Sequence, residues 1–326
     1  LNQSPIADLS YRHYEGVLDP PSQRWWVVAK MGMRLAFKKK SLWVAMAFSG
    51  WYYLGMIFVL FIMEVLGGNA SQAASATGIN PSEQYIMRIV WKDQFVHGVS
   101  FGQMMFLVMA LILGSGSIAN DSRANALLVY LSKPVTKFDY LFGKWFGIFL
   151  PLYVVMLVPS IIFFLYGALS FRDYGFISQD PYLFWKLMLA LPLGAGLHAS
   201  LIVGFSSLFN QGRLAGATYA AVYFLTNFFT QLMVGTWISM TQGSDDNRNP
   251  MLGIVANLFY ASVDGINIGL TKAILGTDGS PWFGVPSDNQ MVPAPSVFPM
   301  LLIALGISFI STLIAWKRVR AVEVVS

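Results

Sequence analysis

Few residues of this chain could do chemistry, and the familiar catalytic arrangements fail one by one. Gly143-Lys144 looks like the close of a phosphate-binding loop. Trp145 follows it where a Ser or Thr would hold magnesium, however, and Phe138 stands where the loop's first glycine belongs. The phosphate-loop motif is therefore not met there. The three histidines, His13, His97 and His198, fall in separate parts of the predicted topology and cannot meet on one metal. The absence of cysteine removes disulfides, thiolate metal sites and a thiol nucleophile. No paired acids and no Ser/His arrangement lie at a common depth, which leaves an intramembrane enzyme without a catalytic group.

What remains are polar side chains inside apolar runs. An ionisable residue at membrane depth is a functional candidate by default, and His198, between Gly196 and Ser200, is the clearest case. Gln103, Asn227 and Gln231 are the amides in the same position. Each could line a pathway or serve as hydrogen-bonding glue between helices. Glu64 lies near the far end of the first apolar run, where a solvated helix end accounts for it. Asn69-Ala70-Ser71 matches a glycosylation triplet of the kind that also arises by chance.

The elements that must position these groups follow from composition. The chain is 56% hydrophobic and 11% charged, against roughly 25% charged in ordinary soluble domains. A water-soluble globule is excluded. The net charge of +5 is no nucleic-acid footprint, because the positive residues flank apolar runs instead of forming a basic patch. The reading is an all-α integral membrane protein with six transmembrane helices, at about 42–66, 99–118, 140–169, 182–209, 214–238 and 297–316. Pro151 and Pro159 predict a kink in the third span, and Gly194-Ala195-Gly196 suits close helix packing in the fourth. Residues 67–98 read as an external loop. Residues 251–275, interrupted by Asn257, Asp264, Gly265, Asn267 and Lys272, read as external or re-entrant helices before the last span.

Ahead of the first span, Trp25 and Trp26 alternate with Arg24, Lys30, Arg34 and Lys38-Lys39-Lys40, the pattern of an amphipathic helix lying in the interface. The chain thus divides into a tail with this helix (1–40), a six-span membrane domain (41–316) and a second tail (317–326). On this topology 15 Lys and Arg fall on the side of the two tails and six on the other, together the 21 of the sequence. The positive-inside rule then places both termini in the cytoplasm, in a multi-pass protein of the cell (inner or plasma) membrane.

The stretch 120–145 reads as a polar helix followed by a membrane entry. It carries Asp121, Arg123, Leu127-Leu128, Leu131, Ser132-Lys133-Pro134-Val135 and Gly143-Lys144. It resembles the cytoplasmic segment between spans two and three of ABC-2 type permeases, although Ala124-Asn125 stands where many relatives show Gly-Thr. Six spans with both ends inside and a long external segment before the sixth are similar to that family too. The resemblance implies a coupling helix, built from Asp121, Arg123, Leu127, Leu128, Leu131, Lys133 and Pro134, that seats on a separate ABC ATPase subunit. It also implies that ATP and Mg belong to that partner, with no cofactor on this chain. A second permease copy or homologue and membrane lipids would complete the assembly, with spans two and five on the pathway. The expected function is ATP-driven export of a hydrophobic or amphipathic substrate. The alternative is a non-transporting ABC-2-like subunit that anchors or regulates a larger membrane complex.

Overall fold

A computed structural model describes residues 23–74, 81–126, 135–242, 250–280 and 291–319, with side chains for all of these but 66–74, 81–84, 242 and 250. The described residues form twelve helices and no strand. They are α1 (Arg24–Phe37), α2 (Lys40–Ser49), α3 (Trp51–Ala74), α4 (Pro81–Arg88), α5 (Trp91–Gly114) and α6 (Ala119–Arg123). After these come α7 (Lys137–Ser170), α8 (Leu183–Leu208), α9 (Gly212–Gln242), α10 (Pro250–Phe259), α11 (Val263–Leu275) and α12 (Val297–Arg318). The polar tails at 1–22 and 320–326, with His13, lie outside the described residues.

Among the described residues, four stretches are long and apolar enough to cross a membrane: α5 continued to Arg123, α7, α8 and α12. Two bent pairs qualify if each is taken as one span: α2 with α3, bent by 41° about Gly50, and α10 with α11, bent by 105°. The first pair covers the run read as a span at 42–66. The second turns back on itself. Its limbs of 10 and 13 residues rise only about 15 and 20 Å, against about 30 Å of hydrocarbon, so neither limb crosses by itself and the pair forms a sharply bent helical hairpin. The fifth expected span is α9, whose 31 residues reach about 46 Å. Its threonines and amides dilute its hydropathy.

Several boundaries differ from expectation for identifiable reasons. The residues read as an external loop at 67–98 are largely helical, because α3 runs on through Gly67-Gly68-Asn69 and α5 begins at Trp91. Trp91 and Phe95 are fully buried with Phe163, Phe171 and Phe176, and this aromatic packing holds the polar first turns of α5. Helix α7 passes through Pro151 and Pro159 without interruption. Pro159 has no N–H for the Val155 carbonyl, and the Ser49 hydroxyl stands 3.5 Å from that oxygen. The start of α7 is fixed by a capping box in which Asp139 N donates to Thr136 Oγ1 and Thr136 N to an Asp139 oxygen, both at 3.1 Å.

Helix α8 is the centre of the bundle, touching α5, α7, α9, α11 and α12. Helix α1 lies across the first half of α7 and is seated by Gly143 and Gly147, a small-xxx-small pair. A Cβ on Gly143 would meet Trp25 O at 2.5 Å, and one on Gly147 would meet Ala29 O at 3.1 Å. Trp25 packs edge-on against Phe142 and Phe146 at 4.9 and 5.2 Å. Away from α7, α1 exposes an apolar stripe of Val27, Met31 and Leu35. Beside it runs a basic stripe of Lys30, Arg34 and Lys38. That pairing of stripes is what an interfacial helix presents to a bilayer.

Candidate functional site

Four helices converge on a polar cluster within the bundle. Tyr219, Tyr223 and Asn227 recur every four residues and so line one face of α9. Gln103 comes from α5, His198 from α8, and Asp264 and Asn267, three apart on one face, from α11. Among them Tyr219 and His198 are fully buried, and Gln103, Tyr223, Asp264 and Asn267 nearly so.

The hydrogen bonds run in two branches. His198 Nδ1 lies 2.8 Å from the Tyr219 hydroxyl and Nε2 lies 3.4 Å from Gln103 Oε1. Since Gln103 Oε1 can only accept, Nε2 carries the proton and Nδ1 accepts from Tyr219, a neutral imidazole assigned from its partners. Phe106 stacks on the ring at 5.3 Å. In the second branch, Asp264 Oδ2 accepts from the Tyr223 hydroxyl at 2.7 Å and from Asn227 Nδ2 at 2.5 Å. One carboxylate oxygen thereby ties the α10/α11 hairpin to α9. The hairpin also presses on α8, where a Cβ on Gly194 would sit 2.2 Å from Asn267 Oδ1, so only glycine admits the contact.

Three buried polar atoms of the cluster, Gln103 Nε2, Asn267 Nδ2 and Asp264 Oδ1, have no hydrogen-bond partner among the described residues. Two donors and an acceptor are thus free to meet a polar group at the junction of α5, α8, α9 and α11. Of the residues singled out from sequence, Gln103 and His198 are brought into direct contact and Asn227 joins through Asp264. Gln231 lies apart, exposed on α9 among Phe228, Phe229 and Leu232. Tyr219, Tyr223 and Asp264 were missed as site residues. The four-residue recurrence of Tyr219, Tyr223 and Asn227 was the signal that could have found them.

The far end of the hairpin is fastened as well. Ser262 caps α11 through Gly265 N at 2.9 Å. Beyond α11, Thr277 donates to Asp93, Lys92 donates to Gly276 O, and Lys272 Nζ donates to Val292 O at 3.0 Å. The first two bonds hold the segment after the hairpin against the start of α5, and the third ties α11 to the segment before α12.

At the opposite end, beside α1, a second polar corner gathers α6, α7 and α8. Asp121 pairs with Lys144 at 2.7 Å and accepts from the Tyr140 hydroxyl at 2.8 Å. Ser206 of α8 accepts from Ile118 N at 3.0 Å and Ala119 N at 3.1 Å, and donates to Ser115 O at 2.9 Å. It therefore satisfies the free amides at the start of α6. Arg123 is exposed. The polar helix expected over 120–137 is broken near its start: α6 ends at Arg123, Asn125 takes the left-handed conformation with φ of 50°, and Ala126 is helical again. Leu127, Leu128, Leu131, Lys133 and Pro134 lie outside the described residues. Trp25, Trp26 and Arg34 all sit on α1, with Trp25 against α7 and Arg34 exposed.

Compared with known proteins, residues 26–319 match the sequence profile of a family described as ABC-2 family transporter protein. No curated protein matches the chain.

Proposed function

Because this chain belongs to the ABC-2 family of transporter proteins, we propose that it is the permease half of an ATP-driven exporter. It works with separate ATPase subunits, which carry ATP and Mg, and with a second permease copy or homologue. The substrate is hydrophobic or amphipathic and moves outward. It acts in the cell membrane with both termini in the cytoplasm, a reading supported by the 15 to 6 division of its 21 Lys and Arg.

The observation that carries this proposal is the corner at Asp121. A partner seated on the segment after α6 pushes on a five-residue helix that is bonded to α7 through Asp121 and to α8 through Ser206. Force applied there reaches two membrane helices directly. Helix α8 then leads to His198, and α9 and the hairpin are tied to each other through Asp264. Gln231 supports a second copy. An amide on an exposed apolar face is costly against lipid, and a facing helix removes that cost.

The test is purification in mild detergent from the native membrane. An ATPase bearing a phosphate loop should co-purify in stoichiometric amount, and Leu128→Asp should release it while membrane insertion is retained. Travel with other membrane subunits and no ATPase would favour an anchoring or regulatory role. ATPase binding undiminished by Leu128→Asp would move the docking site elsewhere.

A further inference from the structure

Between α1 and the amino end of α9 lies a cavity of about 1170 Å³. Its rim carries four cations, Lys39, Arg123, Lys144 and Arg213, against one acid, Asp121. Lys144 is matched by that acid, and Lys39 donates to Ile112 O at 2.9 Å. Arg123 and Arg213 are exposed, and neither has a carboxylate within ion-pair distance among the described residues. The cavity therefore carries an excess of about three positive charges that no carboxylate among the described residues balances. Its remaining wall is mixed, with serine and glycine of the α5–α6 turn on one side and aliphatic side chains of α1, α5 and α7 on the other. It also lies at the depth of α1, whose basic and apolar stripes mark the boundary between headgroups and acyl chains.

A soluble anion would use the arginines and leave the aliphatic wall wet. A zwitterionic lipid would cover the wall and leave the charge excess unmet. We propose that this cavity binds an anionic membrane phospholipid, its phosphate headgroup held by Arg123, Arg213 and Lys39 and its glycerol end against the aliphatic wall. Bound there, the lipid bridges α1, α6 and α9, three elements that otherwise meet around the opening. This assignment does not depend on the transport reading.

The experiment uses the full chain in mild detergent, offered phosphatidylglycerol and phosphatidylcholine, with retained lipid counted by native mass spectrometry. The parent should prefer phosphatidylglycerol. Arg123→Gln and Arg213→Gln should each reduce that preference about fivefold, the weight of one basic residue at an anionic headgroup. Arg213→Lys should keep it, which separates loss of charge from loss of fold, and Arg172→Gln, beyond the far end of α7, should leave it unchanged. Equal retention of the two lipids by the parent, or an unaltered preference in both Gln variants, would overturn the proposal. Displacement of phosphatidylglycerol by millimolar inorganic phosphate would also overturn it, by showing a soluble-anion site.

Discussion

Asp264→Ala is the most informative single change, because one oxygen serves two donors from another helix. The substitution leaves the buried Tyr223 hydroxyl and the half-buried Asn227 amide, now 2.7 and 2.5 Å from that oxygen, without that acceptor. Hydrogen bonds to a charged group contribute about 1.5–3 kcal/mol each, so the loss is about 3–6 kcal/mol. Tyr223→Phe removes one of the two bonds and should cost about 1.5–3 kcal/mol. Asp264→Asn keeps an oxygen able to accept from both donors and loses only the charge assistance, so it should cost least. The assay is thermal unfolding in detergent followed by the intrinsic fluorescence of the ten tryptophans. The decisive comparison is the double variant. Once Asp264 is Ala, the Tyr223 hydroxyl has nothing left to lose, and adding Tyr223→Phe should cost almost nothing further. If the two changes instead add to within about 0.5 kcal/mol, the carboxylate is not what joins α9 to the hairpin.

Three further outcomes are expected. Gly147→Leu should lift α1 from α7, since even a Cβ there meets Ala29 O at 3.1 Å; a cysteine at Trp26 should then label faster with an aqueous reagent, and an unchanged rate would place the seat of α1 elsewhere. Ser206→Ala strips the acceptor from two amides at the start of α6 and should cost about 2–4 kcal/mol in unfolding measurements. Ser207→Ala, which loses a bond only to Gly204 O, should cost under about 1 kcal/mol, and equal costs would refute the capping role of Ser206. Cysteine at Gln231 should form an intermolecular cross-link in native membranes, and its failure with reagents of every length tried would argue against a second copy facing α9.

The membrane helices were legible because apolar runs of the right length have few other uses. Their ends were less so, because polar residues ended the expected spans wherever their partners lay far along the chain. Gln94 Oε1 accepts from the Tyr52 hydroxyl at 2.6 Å, 42 residues away, and with Asp93 it reads locally as loop. The same blindness hid Asp264, which looks like an interruption of an apolar run until Tyr223, 41 residues earlier, is brought against it. Tyr219 and Tyr223 were concealed differently, since a tyrosine in a membrane run counts as one more aromatic. Asn125 shows a third limit. Its left-handed backbone ends α6, yet the flanking residues carry a helical pattern and gave no sign of a stop. By contrast, Gln103, His198 and Asn227 were found at once, because amides and imidazoles have so little reason to be in hydrocarbon.

The modest hydropathy of α9 bears on how the protein is made. It is absent from the helices that qualify as spans by composition, so partition into lipid gives it little push out of the translocation channel. Helix α8 qualifies, and only residues 209–211 separate the two. The pair therefore enters most readily as a preformed helical hairpin, with Tyr219 already turned toward His198 and hidden from acyl chains. Asn227 has no such shelter at that moment, because its acceptor on α11 has yet to be synthesised. Until the later hairpin arrives, the second half of α9 must wait at the channel wall or against another polypeptide, which makes its integration the step most sensitive to the pace of translation.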